Sequence, residues 1–249
     1  MSNNILIIGG TSGLGKELSM LYAKKGYQVG IIGRRENLLL EIQQQFPENI
    51  KICKADINDK NIGEQVTTLI NAMNGIDTLI LTAAIVELNN DLGHASEMKT
   101  ISTNVNGFVN VIVTAWHYFL QKGKGHIIGV TSIAAARGNK NAPAYHASKS
   151  FQSSYLESLR VKAKHDKNNI AVTELIPGYI DTAMGKGDRV FWMANVEKAA
   201  RQSMRAISKK RARAFITKRW WLVYHIQRLL PIFIYDRLMN GSWKLKRKT

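Results

Sequence analysis

Seven apolar runs of strand length alternate along the chain with six stretches of helical periodicity, and that alternation limits the fold more than any other feature. The runs are 5–8, 28–32, 50–53, 76–81, 126–131, 170–176 and 212–216; the helical patterns between them are 13–25, 36–46, 58–73, 104–121, 144–164 and 196–207. Strand, helix and strand in that order form a crossover that lays the strands parallel. The chain therefore predicts an α/β architecture, a doubly wound parallel sheet of about seven strands with helices on both faces. At 249 residues and 45% hydrophobic content it can build one sizeable core, and no repeat or Pro/Gly-rich linker divides it. Residues 1–216 are expected to form the domain, and 217–249 a basic, aromatic-rich helical C-terminal extension of it.

The first crossover carries a glycine-rich turn, Gly9-Gly10-Thr11-Ser12-Gly13-Leu14-Gly15-Lys16-Glu17. Taken from Gly10 it matches a triphosphate-binding loop up to the last letter, where a hydroxyl must ligate Mg²⁺; Glu17 puts a carboxylate there instead. Taken from Gly9 it fits a dinucleotide-binding turn. Gly9 allows the tight turn, Gly13 lets the backbone approach a pyrophosphate, and Gly15 lets the helix pack close to the sheet. The helix that follows aims its N-terminal N–H groups at the phosphates. The second run ends in Gly33-Arg34-Arg35, where an NAD-binding chain has an acid for the ribose 2′-hydroxyl. Two guanidinium groups there favour the 2′-phosphate of NADP; the plainer alternative is that they solvate a strand end.

Further on stands Tyr145-His146-Ala147-Ser148-Lys149. Positions i and i+4 share a helix face, so the Lys149 ammonium is expected to approach the Tyr145 phenol and lower its pKa. Such a phenol can exchange a proton with a carbonyl or alcohol oxygen. Ser132 follows the strand that ends Gly129-Val130-Thr131, at the carboxyl edge where open α/β sheets bind ligands.

With these features in order, the chain resembles the short-chain dehydrogenase/reductase family, in its compact single-domain, Rossmann-like branch. The matching residues are the turn from Gly9 to Gly15, Asp56, Asn104 in Thr-Asn-Val-Asn-Gly, Ser132, Tyr145 to Lys149, and Pro177-Gly178-Tyr179-Ile180-Asp181-Thr182. The resemblance implies that Tyr145 is the general acid/base, that Lys149 lowers its pKa and binds the nicotinamide ribose, and that Ser132 hydrogen-bonds the reacting oxygen. It implies that Asn104 holds a water in a proton relay with Lys149. Thr11, Ser12, Leu14, Ile57, Ala83 and Ala84 would line the cofactor, Asp56 would accept from the adenine amino group, and Pro177, Gly178, Ile180 and Thr182 would lie along the nicotinamide. Two departures stand out. Ile8 occupies a position that is usually Thr, and Leu81-Thr82-Ala83-Ala84 replaces the usual Asn-Asn-Ala-Gly, with loss of a strand-tying amide.

Other features receive plainer readings. The six His lack metal-ligand spacing, so no metal is expected, and His146 reads as a solvent-side helix residue. Trp116, Tyr118 and Phe119 fit either a dimer-forming helix of the family or the core. Cys53 is the single cysteine, the sequence shows no basic leader or apolar span, and a cytoplasmic setting is expected. Net charge is +17, and fourteen of the 35 basic residues fall from Arg201 onward against one acid, Asp236. Residues 218–230 read as a helix with Lys218, His225 and Arg228 on a polar strip, and Pro231 opens a second that Asn240-Gly241 stops. That composition leaves open an anchor on an anionic membrane surface, such as the inner face of a membrane, or a lid or oligomer contact. Nucleic acid is not expected, since no binding motif accompanies the charge.

The sequence thus reads as an NADP(H)-dependent oxidoreductase acting on a carbonyl or secondary alcohol, forming a homodimer or homotetramer. Met184, Phe191, Trp192 and Met193 give the loop after Thr182 an apolar character that fits a lipophilic substrate: a 3-oxoacyl chain, a steroid-like ketone or a lipid-linked sugar. A non-catalytic NADPH-binding sensor or scaffold is the alternative, and the intact Ser132, Tyr145 and Lys149 speak against it.

Overall fold

The computed structural model describes residues 4–182 and 192–239. Seven strands form one all-parallel sheet in the order β3-β2-β1-β4-β5-β6-β7. They are β1 Asn4–Ile8, β2 Gln28–Gly33, β3 Ile50–Lys54, β4 Thr78–Leu81, β5 Gly125–Val130, β6 Ile170–Pro177 and β7 Arg213–Ile216. The helices are α1 Gly13–Ala23, α2 Glu36–Gln45, α3 Ile62–Ala72, α4 His94–Ile101, α5 Phe108–Lys122, α6 Pro143–His165, α7 Val196–Ser208, α8 Trp220–Leu229 and α9 Ile232–Met239.

The strands are apolar throughout because both faces of the sheet are covered. All five residues of β1 are buried. Successive residues point to opposite faces, so Leu6 and Ile8 join a core with Val66, Phe108, Ile112, Phe119 and Leu156. Ile5 and Ile7 join the other core, with Leu14, Leu18, Leu39, Ile42 and Ile207. Trp116 and Phe119 are buried in the first core, and the Tyr118 hydroxyl accepts from the Ile76 backbone N–H at 3.0 Å. Core packing is therefore what those aromatics do.

Two helical expectations are revised. The pattern at 104–121 starts late, since α4 already runs from His94 and passes through a wider π-helical segment, Ser102–Gly107, into α5. The pattern at 58–73 starts early: a turn in which the Asp59 carboxylate accepts from the Asp56 N–H occupies the first residues, and α3 begins at Ile62.

The extension is docked through one face. Trp220 and Tyr224 are each 1% exposed. Trp220 lies against Gly178, where a Cβ would collide with its indole, and edge-on to Tyr179 and Trp192 at 5.5 and 5.9 Å. Tyr224 completes a small third core with Ala135, Ala136 and Ile176. Arg137 donates to the Leu230 and Gln227 carbonyls at 2.9 and 3.3 Å, closing the C-terminal end of α8.

Trp220→Ala is accordingly expected to destabilise the fold by about 3–5 kcal/mol. Trp221→Ala, with that side chain half exposed, should stay within about 0.5 kcal/mol of the parent. Urea denaturation of both variants checks the contrast, and equal losses would contradict the docking described.

Candidate active site

The glycine turn is built by close backbone approach. Gly9 has φ +90°, a conformation that favours glycine, and donates its N–H to the Ile32 carbonyl at 2.8 Å. A side chain on Gly15 would strike the Gly9 carbonyl, so only glycine lets α1 start so near β1. Lys16 turns away to pair with Glu41 at 3.3 Å, which removes the cation a triphosphate loop requires. Leu14, in the first turn of α1, is buried. Ser12 flanks the helix in an extended conformation without a side-chain capping bond. The first N–H groups of α1 and the Ser12 hydroxyl thus suit a phosphate.

Thr82 revises one sequence expectation. Its hydroxyl donates to the Ile8 carbonyl at 2.9 Å, with the Gly9 carbonyl at 3.2 Å, so it supplies the tie that loss of the amide was expected to remove. The Ala83 N–H donates to the same Ile8 carbonyl at 3.1 Å, and Ala84 is half-buried beyond it.

The two arginines divide their work. Arg35 donates to the Thr11 hydroxyl at 3.0 Å, across the mouth of the turn. Arg34 lies 3.4 Å from the Asp56 carboxylate, which also accepts from the Asn58 N–H and side-chain amide at 2.9 and 3.0 Å. Ile57 is buried. On the opposite side Pro177 ends β6, the Gly178 N–H donates to the Ile216 carbonyl at 2.8 Å, and Ile180 is buried. Thr182 comes closest to Gly13 through its methyl group. Trp192 and Met193 are exposed; Met184 and Phe191 lie outside the described residues.

The titratable groups gather at the carboxyl ends of β5 and β6. Thr131, just before Ser132, donates to the buried Glu174 at 2.9 Å, and Glu174 accepts from Arg213 Nε at 2.6 Å. Ser132 opens a 3₁₀ turn by accepting from the Ala134 N–H at 3.1 Å and hydrogen-bonds the Tyr145 phenol. Pro143 starts α6, whose first turns present Tyr145 and Lys149 on one side. Lys149 is 2% exposed. Its ammonium donates to the Val130 carbonyl at 3.1 Å and to Gln152 Oε1 at 2.9 Å, and lies 5.8 Å from the Tyr145 ring centre.

Three features define this cluster. First, burial pushes the Tyr145 phenol up, and the Ser132 hydrogen bond only partly opposes it. Desolvation instead lowers Lys149 itself to about 7, so its charge is only partial near neutral pH. Second, the Asn104 backbone carbonyl accepts from Gln152 Nε2 at 2.7 Å, which joins Lys149, Gln152 and Asn104 through direct hydrogen bonds. The Asn104 side chain, fully buried in the π-helical segment, is taken by both backbone groups of Ile85 and by Ser148. Third, His146 is half-buried rather than on the solvent side; its Nδ1 meets the Arg137 carbonyl at 2.7 Å, and burial lowers its pKa.

Gln152 is the residue that sequence reasoning missed. Its amide accepts from the Lys149 ammonium through Oε1 and donates to the Asn104 backbone carbonyl through Nε2. The available signal was its spacing: Tyr145, Lys149 and Gln152 stand at i, i+4 and i+7, a polar stripe along one helix face.

Comparison with known proteins gives the family and the fold. The family model for the short chain dehydrogenases matches residues 3–191. An uncharacterized oxidoreductase of Mycobacterium tuberculosis is 31% identical over 228 residues, covering 87% of this chain and 88% of its own. A short-chain type dehydrogenase/reductase from Mycobacterium ulcerans superposes with a TM-score of 0.77 at 19% identity, over 86% of this chain and 88% of its own. ElxO, solved with NADP bound, gives 0.67 at 24% identity, over 74% and 76%. The chain belongs to the short-chain dehydrogenase family, whose members use NAD(P)(H).

The buried link makes a prediction that needs no substrate. Lys149 falls from its ordinary value of 10.5 to about 7. Between those values the unfolded chain holds a proton that the folded chain has released, so this group's contribution makes stability rise with pH across that window. Lys149→Met should flatten that slope in denaturation series. Gln152→Glu should raise the Lys149 pKa and Gln152→Leu should lower it further, as read by NMR titration of the ammonium. No response to either change would disprove the link.

Proposed function

We propose that this member of the short-chain dehydrogenase family is an NADP(H)-dependent oxidoreductase acting on the carbonyl or secondary alcohol of a lipophilic substrate. The observation that carries the reading is the Tyr145 phenol, hydrogen-bonded by Ser132 and approached by the Lys149 ammonium. When bound, the reduced nicotinamide supplies a hydride to the carbonyl carbon. Tyr145 gives its proton to the carbonyl oxygen in that direction and takes one from the alcohol in the other. Ser132 donates to the same oxygen as negative charge develops on it. Lys149, in its charged form, stabilises the phenolate that Tyr145 leaves behind, and Gln152 holds the ammonium from the far side.

The cofactor preference rests on Arg35 at the mouth of the turn and on the lack of an acid at Gly33, Arg34 and Arg35. A protein of the same fold, ElxO, has been solved with NADP. Exposed Trp192 and Met193 beside the site support a lipophilic substrate, and Met184 and Phe191 extend that character in the sequence. Exposed Val113 and Leu120 on α5, with Phe151 and Val161 on α6, support assembly into a homodimer or homotetramer.

Fluorescence titration is expected to give tighter binding of NADPH than NADH by roughly 10–100-fold, from charge-assisted bonds of about 1.5–3 kcal/mol each. Arg35→Ala should remove most of that preference; equal affinity in the parent would reject it. In an NADPH-oxidation screen over lipophilic ketones, Tyr145→Phe should lower turnover by at least about a hundredfold while NADPH still binds. A Tyr145→Phe enzyme close to the parent would exclude the phenol as proton donor.

A further inference from the structure

The outer face of the C-terminal helix pair is apolar, exposed and ringed by cations. Trp221, Leu222, Ile226 and Leu229 share the side of α8 opposite the buried Trp220 and Tyr224. Their spacing puts them within about half a turn of one another around the helix axis. Across Pro231 the same character continues with Ile232 and Phe233, each 73% exposed. Of the seventeen exposed large hydrophobic residues among those described, seven fall between 221 and 238. A fold that buries two complete cores beside this face has not left it open for want of apolar partners elsewhere.

The charges around the face have one sign. Lys218, Arg219, Arg228 and Arg237 border the helices, Lys244, Lys246, Arg247 and Lys248 follow in the sequence, and Asp236 is the single acid from residue 217 onward. Among the described residues no ion pair joins Lys218, Arg228 or Arg237 to a carboxylate. A second copy of this face would bring like charges together around the apolar centre, which opposes self-association. The face is also held rigidly from behind, by Trp220 against Gly178, by Arg137 on the end of α8, and by the Tyr235 hydroxyl donating to the Gly138 carbonyl at 2.6 Å. No described helix is long and apolar enough to cross a membrane, so contact would lie in the plane of the surface.

We propose that this face docks the protein on an anionic lipid bilayer, its aromatic and aliphatic residues entering the interface and its cations meeting the headgroups. The binding claim does not depend on the reaction proposed above. It has a consequence for that reaction, however. Arg219 donates to the Trp192 carbonyl at 2.7 Å and stacks on its ring at 5.1 Å. The docked face is thereby tied to the segment bordering the candidate site, and a lipophilic substrate could reach the site from the bilayer.

Co-sedimentation of the full chain with vesicles tests the proposal, without cofactor or substrate. Vesicles of phosphatidylcholine with phosphatidylglycerol should carry the protein down, and pure phosphatidylcholine should carry at least about tenfold less. Raising salt to about 0.5 M should weaken binding by a similar factor, because headgroup attraction is screened. A Trp221→Ser, Leu222→Ser, Phe233→Ser variant should lose binding while keeping the parent's urea midpoint. Should that variant fail to fold, Arg228→Glu, Arg237→Glu provides the test through charge alone. Protein that stays in the supernatant with both vesicles, or binds both equally, overturns the proposal. So does a parent whose oligomer dissociates in the serine variant without any vesicle binding, or one that retains only nucleic acid.

Discussion

The carboxyl side of this sheet depends on how tightly the chain can turn out of β1. Gly9 takes a backbone conformation closed to most residues, and Gly15 lets the first turn of α1 rest on the Gly9 carbonyl. Thr82, just past the end of the neighbouring β4, clamps the Ile8 and Gly9 carbonyls with one hydroxyl. β1 and β4 are adjacent in the sheet, but the chain departs from β1 toward β2 on one side and returns by β4 on the other. Helices therefore diverge at this seam, and a crevice opens there for steric reasons alone. The dipole end of α1, Arg35 and Thr182 all face it because the turn holds α1 close.

The second constraint is the burial of an ammonium. Lowering a lysine from 10.5 to about 7 means its ionised form is disfavoured by roughly 5 kcal/mol relative to water. Two hydrogen bonds, to Val130 and Gln152, do not offset that. Its partners are fixed on either side: Val130 is held in the sheet, and Asn104 is held by both backbone groups of Ile85. Lys149 is consequently poised near neutral pH, and its charge responds to any anionic or hydrogen-bonding group that enters the cleft. A solvent-exposed lysine would stay charged and would respond to nothing.

The sheet was legible because strands covered on both faces must be apolar throughout, and every one of the seven was found within a few residues. The glycine turn, Ser132, Tyr145 and Lys149 were legible because their chemistry restricts residue type and spacing. What escaped was set by tertiary packing. α4 lacks a strong apolar face, with Thr100 its single buried residue, so no periodicity announced it. Thr82 does with a hydroxyl what an amide does elsewhere, and only its distance to Ile8 reveals that. The pair Trp220-Trp221 looks uniform in sequence, but a helix at 100° per residue buries one and exposes the other. Gln152 needed the Asn104 carbonyl, 48 residues away in the chain, before it had meaning.

His146 and Arg137 connect these parts. His146, next to Tyr145 on α6, bonds the Arg137 carbonyl, and the Arg137 guanidinium reaches the last carbonyls of α8 and lies 4.4 Å from the Tyr235 ring centre. One residue thus joins α6 to both helices of the extension. On the other side, Trp220 fills the space over Gly178 that a side chain there would need. The extension therefore presses on the site from two directions, through the 3₁₀ turn after Ser132 and through the loop after β6. A segment that only tethered the protein would need neither contact. With both, α8 is packed against the segments on either side of Tyr145.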